Sequence, residues 1–450
     1  MIKKDIASII FYTEDYKYVV FKYKNDDYAF PHQKLTEEDD NFCPPLGIAR
    51  HILTQISGGF TFDMLSQEVQ LPQNSVNLKK LYDPNDWNKL WMSYEYNEWC
   101  DQVSLFYFSE SQINGSNFQI YYHKINPECF SQNMKNLGVK ILFFDIDQLR
   151  QLQGKEEITA NIVNSNINFQ LEIQQQVELE NQPISKQNTF LFIQNKPCNL
   201  KQILDKGIPN IPTRAIFIGL YKRFNQKWVT YNSYIYHLPT DEVLENSKAI
   251  IQAGSLSSAY EDIEWIVNYR EWINKIYFKY PHLKFLSLCF GEQILAHSLN
   301  GKCIELEEKK QNRQFSNIKI DTINFDDSFF NLPYVSKLNI PKRPYFISKG
   351  HGDIVDQIDT RLFKVIASSE KYQVEVFIDA KDQGNKVLAF QGHPEYSAKW
   401  KLRKNAQFFA LTHKNTLEQA YEMAKKVRNS EKKQDDYILL RQVCSSFLEY

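Results

Sequence analysis

The chain is poor in cysteine and contains no CxxC pair; Cys43, Cys100, Cys129, Cys198, Cys289, Cys303 and Cys444 are all it has. An odd number at these spacings argues against a disulfide frame or a zinc site and for a reducing compartment. Charge of one sign is missing too. A net charge of -1 and a pI near 6.8 supply no long-range field for nucleic acid or an acidic membrane surface, which points to small molecules or proteins as partners. No apolar run reaches the roughly 18 residues that a membrane-spanning helix needs. The start "MIKKDIASIIFYTEDY" lacks a small-residue cleavage pattern and reads as a first strand, so the expected location is the cytoplasm. The phosphate-cradling pattern G-x-x-x-x-G-K-[ST] is absent as well, and no ATP-using synthetase domain is recognisable.

What is present is enough for more than one core: 450 residues, 43% of them hydrophobic. Residues 1–152 alternate strand-like runs ("IASIIFY", "YKYVVFKY", "VSLFYFS", "FQIYYHKI", "VKILFFDI") with one helical stretch near "PLGIARHILTQI", which predicts an α+β domain. From 153 to 208 asparagine and glutamine dominate, and the composition predicts a linker with one docked strand at "TFLFIQ". Regularity returns with "TRAIFIGLY", "SYIYHL" and "KAIIQAGS", the helix "EDIEWIVNYREWINKIYFKY", and "KFLSLC". Strands alternating with helices predict a parallel sheet over 209–415, followed by a helical tail over 416–450.

The joint in "FLSLCFGEQILAHSLNG" puts Cys289 between a buried strand and an amphipathic helix. That is the carboxyl edge of the sheet, where open α/β folds bind ligands, and the first amides of the helix favour a thiolate. Taken alone, such a cysteine is more often a small buried hydrophobe than a nucleophile. A second segment, "VLAFQGHPEYS", runs a strand into His393-Pro394-Glu395. A thiol nucleophile needs a base, and an imidazole needs a carboxylate to fix its tautomer.

Four segments in order, "GSLSSAYED" (254–262), "LCFGEQILAHSLNGK" (288–302), "KGHGDIV" (349–355) and "FQGHPEYS" (390–397), resemble the motif set of class I, or triad, glutamine amidotransferases. Within that superfamily the chain looks closest to the freestanding branch of γ-glutamyl peptidases and GMP-synthase-like proteins. The resemblance covers about residues 210–412. It implies an α/β fold with a flavodoxin-like parallel sheet flanked by helices. It also implies Cys289 as nucleophile, His393 as base and Glu395 as the carboxylate that orients it. The oxyanion hole would come from the N–H of Phe290 and that of Gly254 or Ser255, and the substrate pocket from Gln293, Gly352 and Asp353. Two positions depart from the family pattern. Ser287 stands where glycine is usual, and Glu292 where many relatives carry histidine; a carboxylate there opposes thiolate formation unless it points to solvent. His297 and His351 are further candidate bases.

Residues 28–59 resemble the region of a Nudix box, and "VKILFFDIDQLRQL" resembles the closing strand and helix of that fold. His51, Thr54 and Gln55 occupy the glutamate positions that would hold magnesium, and Glu37 and Glu38 cannot replace them all. The resemblance therefore implies a Nudix-like scaffold without metal-dependent activity, binding a nucleotide or a protein partner. The predicted function is that of a cysteine hydrolase cleaving glutamine or a γ-glutamyl peptide through a glutamyl thioester, with no cofactor, no metal, no nucleic acid and no membrane involved. A glutaminase subunit serving a separate synthetase, and a non-catalytic binding protein, are the alternatives.

Overall fold

A computed structural model describes residues 6–22, 27–34, 107–125, 127–136, 140–195, 217, 220–223, 226–307, 319–382, 384–395 and 436–450. The chain divides into two compact units, one of residues 1–182 with 210–225, the other of 183–209 with 226–450. Among the described residues no helix is long and apolar enough to cross a membrane.

The first unit contains β1 (Ile6–Tyr12), β2 (Tyr18–Lys22), β3 (Tyr28–Ala29), β4 (His32–Lys34), β5 (Tyr107–Ile113), β6 (Ser116–Lys124) and β7 (Ile141–Phe144) in one sheet, with α1 (Pro127–Asn136) and α2 (Ile146–Gln151). The order is β3-β2-β1-β6-β5, with β4 on β1 and β7 on β2; only β1 and β6 run parallel. Where composition predicts a linker, two helices form instead, α3 (Glu157–Val163) and α4 (Phe169–Asn181). The reason is spacing: Ile158 and Ile162, and Phe169 and Ile173, lie four apart and are all buried against the sheet. Phe169 packs on the rings of Tyr18, Phe30 and Tyr122, and the Asn168 side chain caps α4 by accepting from the Leu171 N–H. Asparagine and glutamine on the outer faces hid this stripe. The Nudix-like reading rests on Glu37, Glu38, His51, Thr54 and Gln55, which lie outside the described residues.

The second unit is built on a nine-stranded sheet among the described residues. Its elements are β8 (Thr189–Gln194), β9 (Lys227–Asn232), α5 (Asp241–Glu245), β10 (Ala249–Gln252), α6 (Glu264–Lys279), β11 (Lys284–Leu288), α7 (Phe290–Ser298), β12 (Lys302–Glu305), β13 (Lys319–Phe325), α8 (Asp327–Phe330), α9 (Pro333–Ser336), β14 (Tyr345–Lys349), β15 (Asp353–Gln357), β16 (Phe363–Ser368), β17 (Val376–Asp379), β18 (Val387–Phe390) and α10 (Tyr437–Glu449). The order is β14-β13-β16-β17-β18-β11-β10-β8-β9, and β12 pairs separately with β15. From β9 to β18 neighbours run parallel, as expected of wholly buried strands such as "AIIQ" and "TFLFIQ". Beyond β18 every pairing is antiparallel, so the expected parallel strands form the core of a mixed sheet. Short turns link β16 to β17 and β17 to β18, and a parallel crossover needs a dozen residues or more.

Helix α6 buries Trp265, Ile266, Tyr269, Ile273, Ile276 and Tyr277 along one stripe. Helix α10 does the same with Leu440, Val443, Cys444 and Phe447, and is tied at both ends. Arg343 donates to both oxygens of Asp436 (2.9 and 2.6 Å), while Lys284 and Lys248 cap the carbonyls of Phe447 and Glu449 at 2.9 Å. Two segments differ from the sequence reading. The described residues of "TRAIFIGLY", Phe217, Leu220 and Tyr221, are helical, and Ser233–Ile235 of "SYIYHL" is a 3-10 turn. Short apolar runs do not by themselves distinguish strand from helix.

Candidate active site

The carboxyl ends of β10, β11 and β18 lie side by side, and each continues into a residue of the predicted site. Strand β11 ends at Leu288, Cys289 takes φ 55 and ψ -111, and α7 begins at Phe290. A left-handed φ in a non-glycine residue is uncommon and turns the chain sharply between strand and helix, presenting the side chain at the sheet edge. The bend is held by the Cys289 N–H, which donates to the Phe390 carbonyl at 2.8 Å, and by the Gln293 N–H, which donates to the Cys289 carbonyl at 3.1 Å. It also needs Gly291, where a Cβ would fall 2.5 Å from the backbone oxygen of Gln252.

The imidazole of His393 meets the Glu395 carboxylate at 2.6 Å, Nδ1 to Oε1, and the pair is buried. The His393 N–H donates to the Ser348 carbonyl at 2.9 Å, which anchors the segment to β14. Sulfur and ring converge at Gly254. A Cβ built there would lie 3.6 Å from His393 Cε1 and 3.9 Å from Cys289 Sγ, so both border the same point. Cys289 and His393 keep 5% and 6% of their surface exposed. Phe290 presents the first amide of α7, which has no partner within the helix. Ser255 follows Gly254 in the same loop, and its hydroxyl accepts from the Ser257 N–H at 3.2 Å.

Glu292 is fully buried and does not point to solvent. Burial pushes its carboxyl well above the usual range, Glu375 and Cys289 beside it act in the same direction, and Lys349 only partly offsets them. The shift favours the neutral acid, which works against a negative charge beside Cys289. Lys349 is bonded to Glu375 and, at 3.0 Å, to Asp321. Ser287 is accommodated as well. It pairs with Gln252 across β10 and β11, and its hydroxyl donates to Gln252 Oε1 at 2.7 Å.

Gln293 and Asp353 form a second cluster. The Gln293 amide donates to the Asp353 carbonyl at 2.8 Å and to Gln391 Oε1 at 3.2 Å, so it ties the start of β15 to the His393 segment. The Asp353 carboxylate accepts from Ser258 at 2.7 Å and from Tyr260 at 3.0 Å. Burial, with that carboxylate adding to it, raises the Tyr260 hydroxyl to about 12, so it remains a donor at neutral pH. The Gly352 carbonyl accepts from the Leu306 N–H at 2.9 Å. Of the other histidines, His351 donates from Nδ1 to the Asp353 carbonyl at 2.9 Å, and His297 accepts from the Cys303 N–H at 3.4 Å. Sequence reasoning did not single out Ser258, Tyr260 or Gln391, although all three sit inside the quoted motifs. Gln252 and Asn195 were missed too; their signal is a polar residue closing an apolar strand at the ligand-binding edge.

The family model of glutamine amidotransferase class-I matches residues 221–410. The chain carries a class I glutamine amidotransferase domain. A glutamine amidotransferase-like protein of Schizosaccharomyces pombe is 27% identical over 180 residues, 39% of this chain and 65% of that protein. This chain thus matches just under two thirds of the yeast protein's length. Gamma-glutamyl peptidase 2 of Arabidopsis thaliana is 27% identical over 237 residues, 52% of this chain and 86% of the plant protein. The crystal structure of a glutamine amidotransferase from Thermotoga maritima aligns with 59% of this chain and 99% of its own, at 16% identity and a TM-score of 0.40.

Proposed function

We propose that this domain hydrolyses a γ-glutamyl amide bond, in glutamine or in a γ-glutamyl peptide, through a glutamyl thioester on Cys289. The observation that carries the reading is the short His393–Glu395 bond beside a cysteine held at positive φ, with ring and sulfur both bordering Gly254. A carboxylate on Nδ1 leaves Nε2 to act as the base. In this reading His393 takes the thiol proton, and the sulfur attacks the amide carbonyl. The amidotransferase domain then directs the N–H groups of Phe290 and of Gly254 or Ser255 at the charge on oxygen, each worth roughly 3 kcal/mol in the transition state. Collapse breaks the C–N bond, and the amine leaves with the proton from His393. Water, deprotonated by His393, attacks the thioester, releases glutamate and restores the thiol.

The low exposure of Cys289 and His393 suits a carbonyl at the end of a slender chain, as in a γ-glutamyl group. The upward shift of the Glu292 carboxyl, which favours its neutral form, suits a thiolate at Cys289. A plant relative named as a γ-glutamyl peptidase favours the peptide over free glutamine. The test is release of free glutamate from glutamine, glutathione and γ-glutamyl dipeptides. Turnover of at least one is expected, lost in Cys289→Ser and reduced on the order of a thousandfold or more in His393→Ala. Silence across the whole panel from folded protein refutes the proposal.

A further inference from the structure

Two sets of buried side chains tie the elbow to the neighbouring strand without touching the reacting atoms. The first lies across β10 and β11. Gln252 and Ser287 are direct cross-strand partners, both with no exposed surface, and each precedes a site residue by two positions: Gly254 in one strand, Cys289 in the other. Ser287 Oγ donates to Gln252 Oε1 at 2.7 Å, and Gln252 Nε2 donates to the Tyr269 hydroxyl at 2.7 Å. Both ends of the Gln252 amide are thus engaged, and the side-chain bridge reinforces the spacing of the two strand ends.

The second set starts at Asn195, which follows β8 and is also fully buried. Its Nδ2 donates to the Ala253 carbonyl at 2.8 Å, and its Oδ1 accepts from the Ser233 hydroxyl at 2.8 Å. The Ala253 carbonyl and the Gly254 N–H belong to one planar peptide unit, and in a trans peptide they point in opposite directions. Holding the carbonyl on one side therefore sets the direction of the N–H on the other. Gly254 borders Cys289 and His393.

We propose that Asn195, anchored by Ser233, is a positioning residue for the oxyanion hole. It aims the Gly254 N–H, while the Ser287–Gln252 bridge sets that donor's distance from Cys289. The proposal rests on the catalytic reading given above, with Gly254 supplying the donor. Of Gly254 and Ser255, it selects Gly254.

The experiment compares wild type, Asn195→Ala and Ser233→Ala in two reactions. One is glutamate release, resolved into kcat and KM. The other is alkylation of Cys289 by iodoacetamide, which displaces iodide at a saturated carbon and develops no oxyanion. Asn195→Ala is expected to lower kcat by about 10- to 100-fold with KM changed by no more than about threefold, because a misaimed donor acts only on the transition state. Alkylation should proceed at the wild-type rate. Ser233→Ala, which leaves Asn195 in place but unanchored, should show the same pattern more weakly, and it carries the test should Asn195→Ala fail to fold. An unaltered kcat overturns the proposal, and so does a parallel fall in kcat and alkylation, which marks general damage to the site. Turnover by wild type with an unaltered Asn195→Ala removes the positioning role alone; silence of wild type removes the catalytic reading and this inference with it.

Discussion

Replacing Glu292 by glutamine should stabilise the amidotransferase unit, and the gain should grow with pH. The side chain is fully buried, and among the described residues neither carboxyl oxygen has a hydrogen-bond partner. Burial, then Glu375 and Cys289, raise its pKa well above the ordinary 4.5, against the opposing charge of Lys349. Below pH 4.5 folded and unfolded chains both hold the proton, and the group makes no pH-dependent contribution. Above it the unfolded chain releases a proton that the folded chain keeps, so each further pH unit favours unfolding tenfold until the folded-state pKa is reached. The raised pKa therefore makes this side chain increasingly unfavourable to the folded state as pH climbs above 4.5. Glutamine has nearly the same shape and a similar burial cost but no proton to retain, which removes this penalty. Unfolding of wild type and Glu292→Gln, followed at pH 5, 6, 7 and 8, should show midpoints that nearly coincide at pH 5 and separate progressively above it. Contributions from the other titrating groups largely cancel in the difference. A constant gap, or a variant that loses ground as pH rises, would refute the neutral-acid reading. The same reasoning requires iodoacetamide to alkylate Cys289 at similar rates in both proteins, since no charge is removed; a marked acceleration in the variant would mean an ionised Glu292.

Two glycines at the site should respond differently to a methyl group. In Gly291→Ala the new Cβ meets the Gln252 backbone oxygen at 2.5 Å, which only a shift of β10 or α7 relieves; about 2–3 kcal/mol of stability and slower alkylation of Cys289 are expected. In Gly392→Ala it meets the Ile347 side chain, Cδ1 at 2.6 Å and Cγ1 at 2.8 Å, and no backbone, so a smaller loss of about 1–2 kcal/mol is expected, and reversed midpoints in denaturant would contradict the packing argument. Ser287→Gly installs the residue usual in the family but leaves Gln252 Oε1 without its donor, for a loss of about 1–2 kcal/mol. Stability equal to wild type would show that the bridge contributes nothing net.

Much of the second unit was legible because its signals are local. "KFLSLC" followed by an amphipathic run announces β11, the turn and α7, and "VLAF" before "QGHPE" announces β18. Where signals were dilute, reading failed. Ile158 with Ile162 and Phe169 with Ile173 are two short stripes among asparagines and glutamines, and they became visible as helices only against a sheet that buries them. Likewise "TRAIFIGLY" has strand-like composition, yet the place beside β8 belongs to "KWVTYN". Glu292 shows the limit most clearly. Its position in the first turn of α7 was plain, but which way it faces, and therefore whether it carries a charge, depended on what packs around that turn.

By itself the sequence determined the chemical inventory: a thiol at a strand-helix joint, a histidine and a glutamate separated by one proline, and glycines where the backbone must pass closely. Those properties are set within a few residues by covalent geometry and sterics. Only tertiary structure decided that Cys289 and His393 border one point at Gly254, because that depends on the register in which β10, β11 and β18 pair, and strand pairing joins segments whose separation along the chain carries no record of it. It likewise decided the burial of Glu292 and the bonding of Asn195 to the Ala253 peptide, since both follow from which groups the packed core leaves within reach.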